Sequence, residues 1–285
     1  MLTKEDLEDF LKAIEKVEIG EGDLTTEVVV PYPRFGAGRV ISKNKGFFAG
    51  EKIIETLVRS SGERINLTWH IKDGKQIKEN DTVFSFEGKI SDILARRRII
   101  EYVLGRASAI ATHTRGIVGK LERVGKKLVS PSKVVPGYEV IDNYAFTIGG
   151  GIVRSEGLKD SIYITPEHVE YGGGIEQVVD CVLKEVGIAR KKIKIEVEVV
   201  SFLDFQRVNE LDIDVIHISS NATREDILKI FAEGNPKKKP VLHLRSINDW
   251  DHEFAPFFFV YLCVENIFTE VVPLEFKVKI EEGAL

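Results

Sequence analysis

The 285-residue chain is poor in several things at once: 2 cysteines, 1 methionine, 2 tryptophans, and glutamine only at Gln76, Gln177 and Gln206. Cys181 and Cys263 sit singly in apolar stretches. That excludes a disulfide framework, fits a reduced cytoplasmic protein, and gives no paired spacing for zinc. No apolar run approaches the roughly 18 residues a membrane helix needs. Basic excess is also missing: 40 Lys and Arg stand against 45 Asp and Glu, a net charge of −5. This argues against nucleic acid as a partner. The opening residues are acidic and amphipathic, unlike a signal peptide. What is abundant is Lys and Glu, a bias resembling that of thermophile proteins. With 43% hydrophobic and 30% charged residues, the chain has the composition of a folded protein long enough for two modest domains.

The hydrophobic pattern changes texture near Val124. Before it, Thr3 to Val17 carries apolar residues at helical spacing, with Thr3 as the expected N-cap. Short β runs follow at 38–42, 65–71 and 82–86, separated by Asp73-Gly74, Asn80-Asp81 and Glu87-Gly88 turns, with a helix at 51–60. Helices are expected at 91–108 and 112–124. After it, strand-like runs at 127–129, 146–148, 162–165, 192–200, 214–219, 241–244 and 259–264 alternate with helices at 174–186, 202–211, 224–233 and 249–254. Repeated β-then-α units predict a parallel sheet covered by helices. Seven strands fall short of the usual eight-unit barrel. The expectation is an α/β fold: an N-terminal α/β sandwich over 1–110, an incomplete seven-stranded α/β barrel over 111–270, and a segment, 271–285, that returns to the first domain.

Ligands of parallel sheets meet the carboxyl ends of the strands. Several polar residues fall there. Glu196 and Glu198 share one face of a strand whose other face is Ile195, Val197 and Val199, so both carboxylates point into the barrel and need cationic or hydrogen-bonding partners. His217 and Ser219 share a parity, as do His243 and Arg245. Taken one at a time, each histidine is a satisfied core residue; with Arg245 and Lys133 they line a polar cavity. Gly149 to Gly151 lacks the spacing of a dinucleotide fingerprint. The run Arg96 to Arg98 reads as a solvated helix face, and Lys237 to Lys239 as a loop.

At this point a family resemblance emerges. Gly22-Asp23-Leu24-Thr25-Thr26, the stretch from Arg106 to Arg115, Lys133 to Gly137, Tyr144 to Gly151, Glu196 to Val199 and Val272 to Glu275 resemble, in order, motifs of quinolinate phosphoribosyltransferase, also called nicotinate-nucleotide pyrophosphorylase (carboxylating). Pro166-Glu167-His168 is closer to the related ModD-type pyrophosphorylases. The resemblance implies a homodimer in which each barrel mouth is completed by the partner. It also implies transfer of a phosphoribosyl group from phosphoribosyl pyrophosphate to a pyridine acid with Mg²⁺. Carried over residue by residue, it keeps Lys133 and Glu198 as catalytic groups and Arg98 as the arginine lent to the neighbouring site. Arg154, His243, Arg245 and Ser219 fall at substrate-binding positions; no metal ligand set is implied. Other family positions are changed. The arginine before Lys133 is Ser132, the His-Arg pair falls on Arg154 and Ser155, and the third-strand lysine falls on Thr165. The fifth-strand aspartate falls on Ser219, and a seventh-strand glycine on Glu265. Two readings follow: a phosphoribosyltransferase with a changed acceptor, using Lys133, Arg154, Glu198 and Arg98, or a non-catalytic member that binds a small anion or serves as a partner subunit.

Overall fold

The computed structural model describes residues 4–30, 32–60, 62, 65–131, 134–154, 161–187, 192–233, 238, 240–257 and 260–281. Thr3, Ser132, Lys133, Ser155, Lys237, Lys239 and Phe259 therefore lie outside the described residues. Contacts divide the chain into two units. The first comprises residues 1–116, 134–150 and 268–285, the second 117–133 and 151–267.

In the first unit, α1 (Lys4–Glu18) buries Leu7 and Leu11, one turn apart, so one stripe of the helix faces the core. Asp23 caps α2 (Leu24–Val29), accepting from the N–H groups of Thr25 at 3.1 Å and Thr26 at 3.2 Å. This helix falls where the sequence pattern shows only a break. The strands are β1 (Phe35–Ser42), β2 (Gly46–Phe47), β3 (Asn66–Trp69), β4 (Gln76–Ile77) and β5 (Thr82–Lys89), with α3 (Glu51–Ser60) between β2 and β3. The helix α3 buries Ile53, Ile54 and Leu57. Gly74, at φ 75°, closes the Asp73-Gly74 turn that no β-carbon would favour.

Residues 90–122 form one helix, α4 (Ile90–Glu122), where two were expected. Ala107, Ala109 and Ala111 are strong helix formers, and no proline interrupts them. Residues 146–148, expected as a strand, are instead the last turn of α5 (Glu139–Ile148), which buries Ile141, Asp142, Ala145 and Phe146 at helical spacing. Asp142 accepts two hydrogen bonds from Arg106, each 2.7 Å. The final strand β12 (Phe276–Ile280) pairs antiparallel with β1, giving the sheet order β12-β1-β5-β3. Its lead-in is fixed at Gly105, where a β-carbon would sit 2.4 Å from the Leu274 carbonyl oxygen.

The second unit holds a parallel sheet of β6 (Lys127–Val129), β7 (Ser161–Ile164), β8 (Lys194–Val199), β9 (Val215–Ile218), β10 (Val241–Leu244) and β11 (Tyr261–Val264). Their order is β6-β11-β10-β9-β8-β7. The second strand position shrinks to a single parallel bridge between Val129 and Ile152, so among the described residues the sheet does not close beside β7. The helices α6 (Pro166–Tyr171), α7 (Ile175–Val186), α8 (Phe202–Asn209) and α9 (Arg224–Glu233) follow their strands. Residues 249–254, expected as one helix, form parts of two 3₁₀ turns, each opened by its own cap, Ser246 and Asp251. Among the described residues, no helix is long and apolar enough to cross a membrane.

Candidate functional site

The parity of β8 sorts its residues as the sequence predicts. Ile195, Val197 and Val199 are buried on one side, and Glu196 turns to the other, where it is also buried, at 2% exposure. The register sets Tyr163 beside Glu196, Glu198 beside His217, and Cys263 beside His243. Their side chains therefore meet on one face of the sheet.

There they form a continuous polar chain. Arg154 Nη1 donates to Glu196 Oε2 through a very short contact, and His217 Nε2 lies 2.8 Å from the same oxygen. His217 Nδ1 is 2.9 Å from His243 Nε2. His243 Nδ1 faces Glu265 Oε1 at 3.7 Å, and Ser220 Oγ donates to that oxygen at 2.9 Å. The Tyr163 hydroxyl donates to Glu198 Oε2 at 3.0 Å, and the Arg154 guanidinium sits 5.2 Å over the Tyr163 ring. The backbone N–H of Arg154 is tied to Ser130 Oγ at 3.1 Å.

Burial sets the charges. His217 is wholly enclosed, and desolvation, aided by the neighbouring His243 and Arg154 charges, pushes its pKa down to about 3. Burial alone would raise Glu196, but the His217 hydrogen bond and the Arg154 charge outweigh it and hold the carboxyl at about 2. Burial opposes charge on His243 as well. Contacts with Cys263 and with the carboxylates of Glu265 and Glu198 prevail, and its pKa rises to about 9. A protonated His243 donates from Nε2, so His217 Nδ1 accepts and its proton sits on Nε2, which lies 2.8 Å from Glu196 Oε2 and 2.9 Å from Arg154 Nη1; of these two only the carboxylate can accept it. One neutral member, His217, thus stands between two ion pairs, Arg154⁺ with Glu196⁻ and His243⁺ with Glu265⁻.

Sequence models of the quinolinate phosphoribosyl transferase N-terminal and C-terminal domains match residues 23–108 and 110–245. A probable nicotinate-nucleotide pyrophosphorylase [carboxylating] of Archaeoglobus fulgidus is 31% identical over 196 residues, 68% of this chain and 72% of that protein. The chain belongs to the quinolinate phosphoribosyltransferase family. A second such relative, from Methanothermobacter thermautotrophicus, is 28% identical over 227 residues, 79% of each chain. The Bacillus subtilis relative is 30% identical over 182 residues, a match spanning 64% of this chain and 62% of that protein, less than two thirds of its length. In fold, the chain is similar to the nicotinate-nucleotide pyrophosphorylases of Francisella tularensis and Ehrlichia chaffeensis. The first has a TM-score of 0.81 at 20% identity, covering 99% of this chain and 98% of that one. The second has 0.85 at 22%, covering 96% and 98%.

Of the residues that the quinolinate phosphoribosyltransferase motifs single out, Arg154, Glu198 and His243 gather at the polar chain or beside it. Ser219 is buried at the end of β9, its hydroxyl accepting from the Asn221 N–H at 3.2 Å. Arg245 is exposed and bonds Asn221 Oδ1 at 2.6 Å. Arg98 belongs to the other unit, where it is exposed and pairs with Glu18 at 3.4 Å. Lys133 lies outside the described residues. Thr165 caps α6 together with His168, whose Nδ1 accepts from the Thr165 N–H at 3.1 Å. Tyr163 and Ser220 carry no sequence signal of their own. Only the register beside Glu196 brings Tyr163 to the chain.

Proposed function

We propose that this chain transfers a phosphoribosyl group from phosphoribosyl pyrophosphate to a small pyridine-type acceptor other than quinolinate. What supports the reading is the gathering of Arg154, Glu196, Glu198, His217 and His243 on one face of the sheet in a chain of this family. In it, Glu198 holds a ribose hydroxyl, its orientation fixed by the Tyr163 hydroxyl. Lys133 supplies a point charge for phosphate, and Arg154 an oriented one. Among the described residues no cluster of three or more His, Cys, Asp or Glu side chains fits a metal ion. Glu198 therefore suits an Mg²⁺ that arrives on the diphosphate as part of the substrate and keeps most of its waters. A second copy of the chain lends Arg98 in a homodimer. The Pro166-Glu167-His168 turn favours the ModD-type branch.

Quinolinate carries two carboxylates, and Ser132, Ser155 and Thr165 stand where the family has cations. Each lost charged hydrogen bond costs about 1.5–3 kcal/mol. Three together lower quinolinate turnover by about 10³-fold or more.

The non-catalytic reading draws on a specific observation: Arg154 and His243 already face carboxylates of the same chain, Glu196 and Glu265. Calorimetric titration of the full chain with phosphoribosyl pyrophosphate and Mg²⁺, followed by a pyrophosphate-release assay across pyridine acceptors, separates the two. Binding with release supports transfer. No binding at millimolar donor rejects transfer in favour of the non-catalytic role.

A further inference from the structure

The connections from β8 to β9 and from β9 to β10 each carry an α-helix, α8 and α9. The connection from β10 to β11 carries instead the two 3₁₀ turns, Ile247–Asp249 and His252–Phe254. Between these turns and the end of α4 lies a recess of about 430 Å³, within the range of small-molecule sites. Lys120, Leu121, Arg123 and Val124 line one side, Ile247 and Trp250 the other. All belong to the second unit, and none takes part in the polar chain of Arg154, Glu196, His217 and His243. Leu121 is buried, Val124, Ile247 and Trp250 are half-buried, and Lys120 and Arg123 are exposed. The Trp250 indole stands at 80° to the Phe254 ring, 6.2 Å between centroids, which fixes its plane. The carbonyls at the end of α4 do not draw on the two cations. Leu121 O already accepts from the N–H groups of Val124 and Lys126, both at 3.0 Å, and Glu122 O from that of Gly125 at 3.1 Å. The carboxylates of the facing turns are committed elsewhere: Asp249 to the Ser246 N–H at 3.0 Å, Asp251 and Glu253 to Arg224. Among the described residues Lys120 and Arg123 make no ion pair, and no carboxylate lines the recess.

We propose that this recess is a second ligand site, for a nucleoside monophosphate. The base lies against the Trp250 indole among Leu121, Val124 and Ile247, and the phosphate is held by Lys120 and Arg123. An apolar hollow with an indole wall and two uncompensated cations suits a ligand that is planar and aromatic at one end and anionic at the other. A cavity of about 150 Å³ already holds one six-membered ring. The larger recess therefore suits base, ribose and phosphate together better than a lone aromatic acid. Arg123 offers the phosphate a planar fork, and Lys120 a point charge. The site is separate from the sheet face that carries the polar chain and does not depend on the phosphoribosyl-transfer reading.

The test is calorimetric titration of the full chain with adenosine monophosphate, adenosine and inorganic phosphate, read alongside tryptophan emission. The chain has 2 tryptophans, and Trp69 belongs to the other unit. Adenosine monophosphate is expected to bind about tenfold or more tighter than either adenosine or phosphate, since each of these lacks one half of the contacts. It should also quench the emission that remains in a Trp69→Phe variant. Lys120→Ala combined with Arg123→Ala should weaken the nucleotide by about 100-fold or more, one tenfold for each charge-assisted hydrogen bond, and leave adenosine unchanged. Trp250→Leu should weaken nucleotide and nucleoside alike by about tenfold. The proposal is overturned if the nucleotide does not bind at millimolar concentration, if adenosine or phosphate binds as tightly, or if the Lys120 and Arg123 double variant keeps the parent affinity. Both cations are exposed, so that double variant should fold as the parent does. Should one tryptophan variant not fold, the other decides: binding without quenching in Trp69→Phe, or undiminished binding in Trp250→Leu, overturns the site.

Discussion

Shifting the pH away from neutrality loads the buried histidine pair in opposite directions, which makes the stability of the second unit a measurable consequence of its polar chain. An unfolded histidine titrates near 6.5. In the native state His217 resists protonation down to about 3, because burial disfavours its charge. Between those values the unfolded chain takes up a proton that the native one excludes, so stability falls as the pH falls. Below about 4.5, Glu196, held at about 2 by His217 and Arg154 against its burial, adds a second proton to the same deficit. His243 works the other way. Its native pKa of about 9 means that the folded chain keeps a proton that the unfolded one has lost above 6.5. Stability then falls as the pH rises, up to about 9. One proton corresponds to about 1.36 kcal/mol per pH unit, so two units in either direction from 6.5 remove about 3 kcal/mol. Urea unfolding at constant ionic strength from pH 4.5 to 9 should give a dome centred near 6.5. His243→Asn should flatten the alkaline limb and spare the acid one. A wild-type profile that is level from pH 7 to 9, or an alkaline limb that survives in His243→Asn, would refute the assignment of charge to His243.

Four further outcomes concern the first unit and the dimer. Arg106→Ala strands the fully buried Asp142 carboxylate and should cost about 3–5 kcal/mol in urea unfolding, whereas replacing both residues by leucine should recover most of the loss. Phe146→Ala empties a core position packed edge-on against Phe268 at 5.6 Å and should cost about 3–5 kcal/mol by the same assay. Sedimentation should find a dimer at micromolar concentration, and a monomer there would remove the shared site. Arg98→Ala should leave the melting temperature unchanged, since Arg98 is largely exposed and surface pairs contribute little.

The parallel sheet was legible because β9 and β10 are short, mostly apolar runs bounded by turns, and because β8 alternates, so that parity alone aims Glu196 and Glu198 at one side. The helix ending at Ile148 was not. Read in isolation, Ala145 to Ile148 has the short apolar look of a strand; its helical period shows only once Ile141 and Asp142 are seen to be buried with it. The continuity of α4, by contrast, was open to reading: Ala107 to Ala111 are helix formers with no breaker among them, so nothing in the sequence required the expected break at 109–111. At the candidate site, the individual residues were visible but their pairing was not. That Arg154 finds Glu196, and His217 finds His243, depends on strand register and on a short lead-in after Ile152, which are properties of the folded sheet and not of local pattern.

The return of β12 to β1 has a consequence for how the chain is made. The sheet of the first unit opens at residue 35 and closes only with residues 276–280, while the whole of the second unit is synthesised between them. At about 5–20 residues per second, the edge of β1 waits on the order of ten seconds or longer for its partner. During that interval its unpaired N–H and C=O groups offer a template to any other extended chain. The expected result is that nascent chains stalled before residue 270 are cut readily by protease within residues 35–42, and that protection appears when residues 276–280 clear the ribosome. Protection present already at the earlier stall would show that the rest of the sheet holds β1 without its last neighbour.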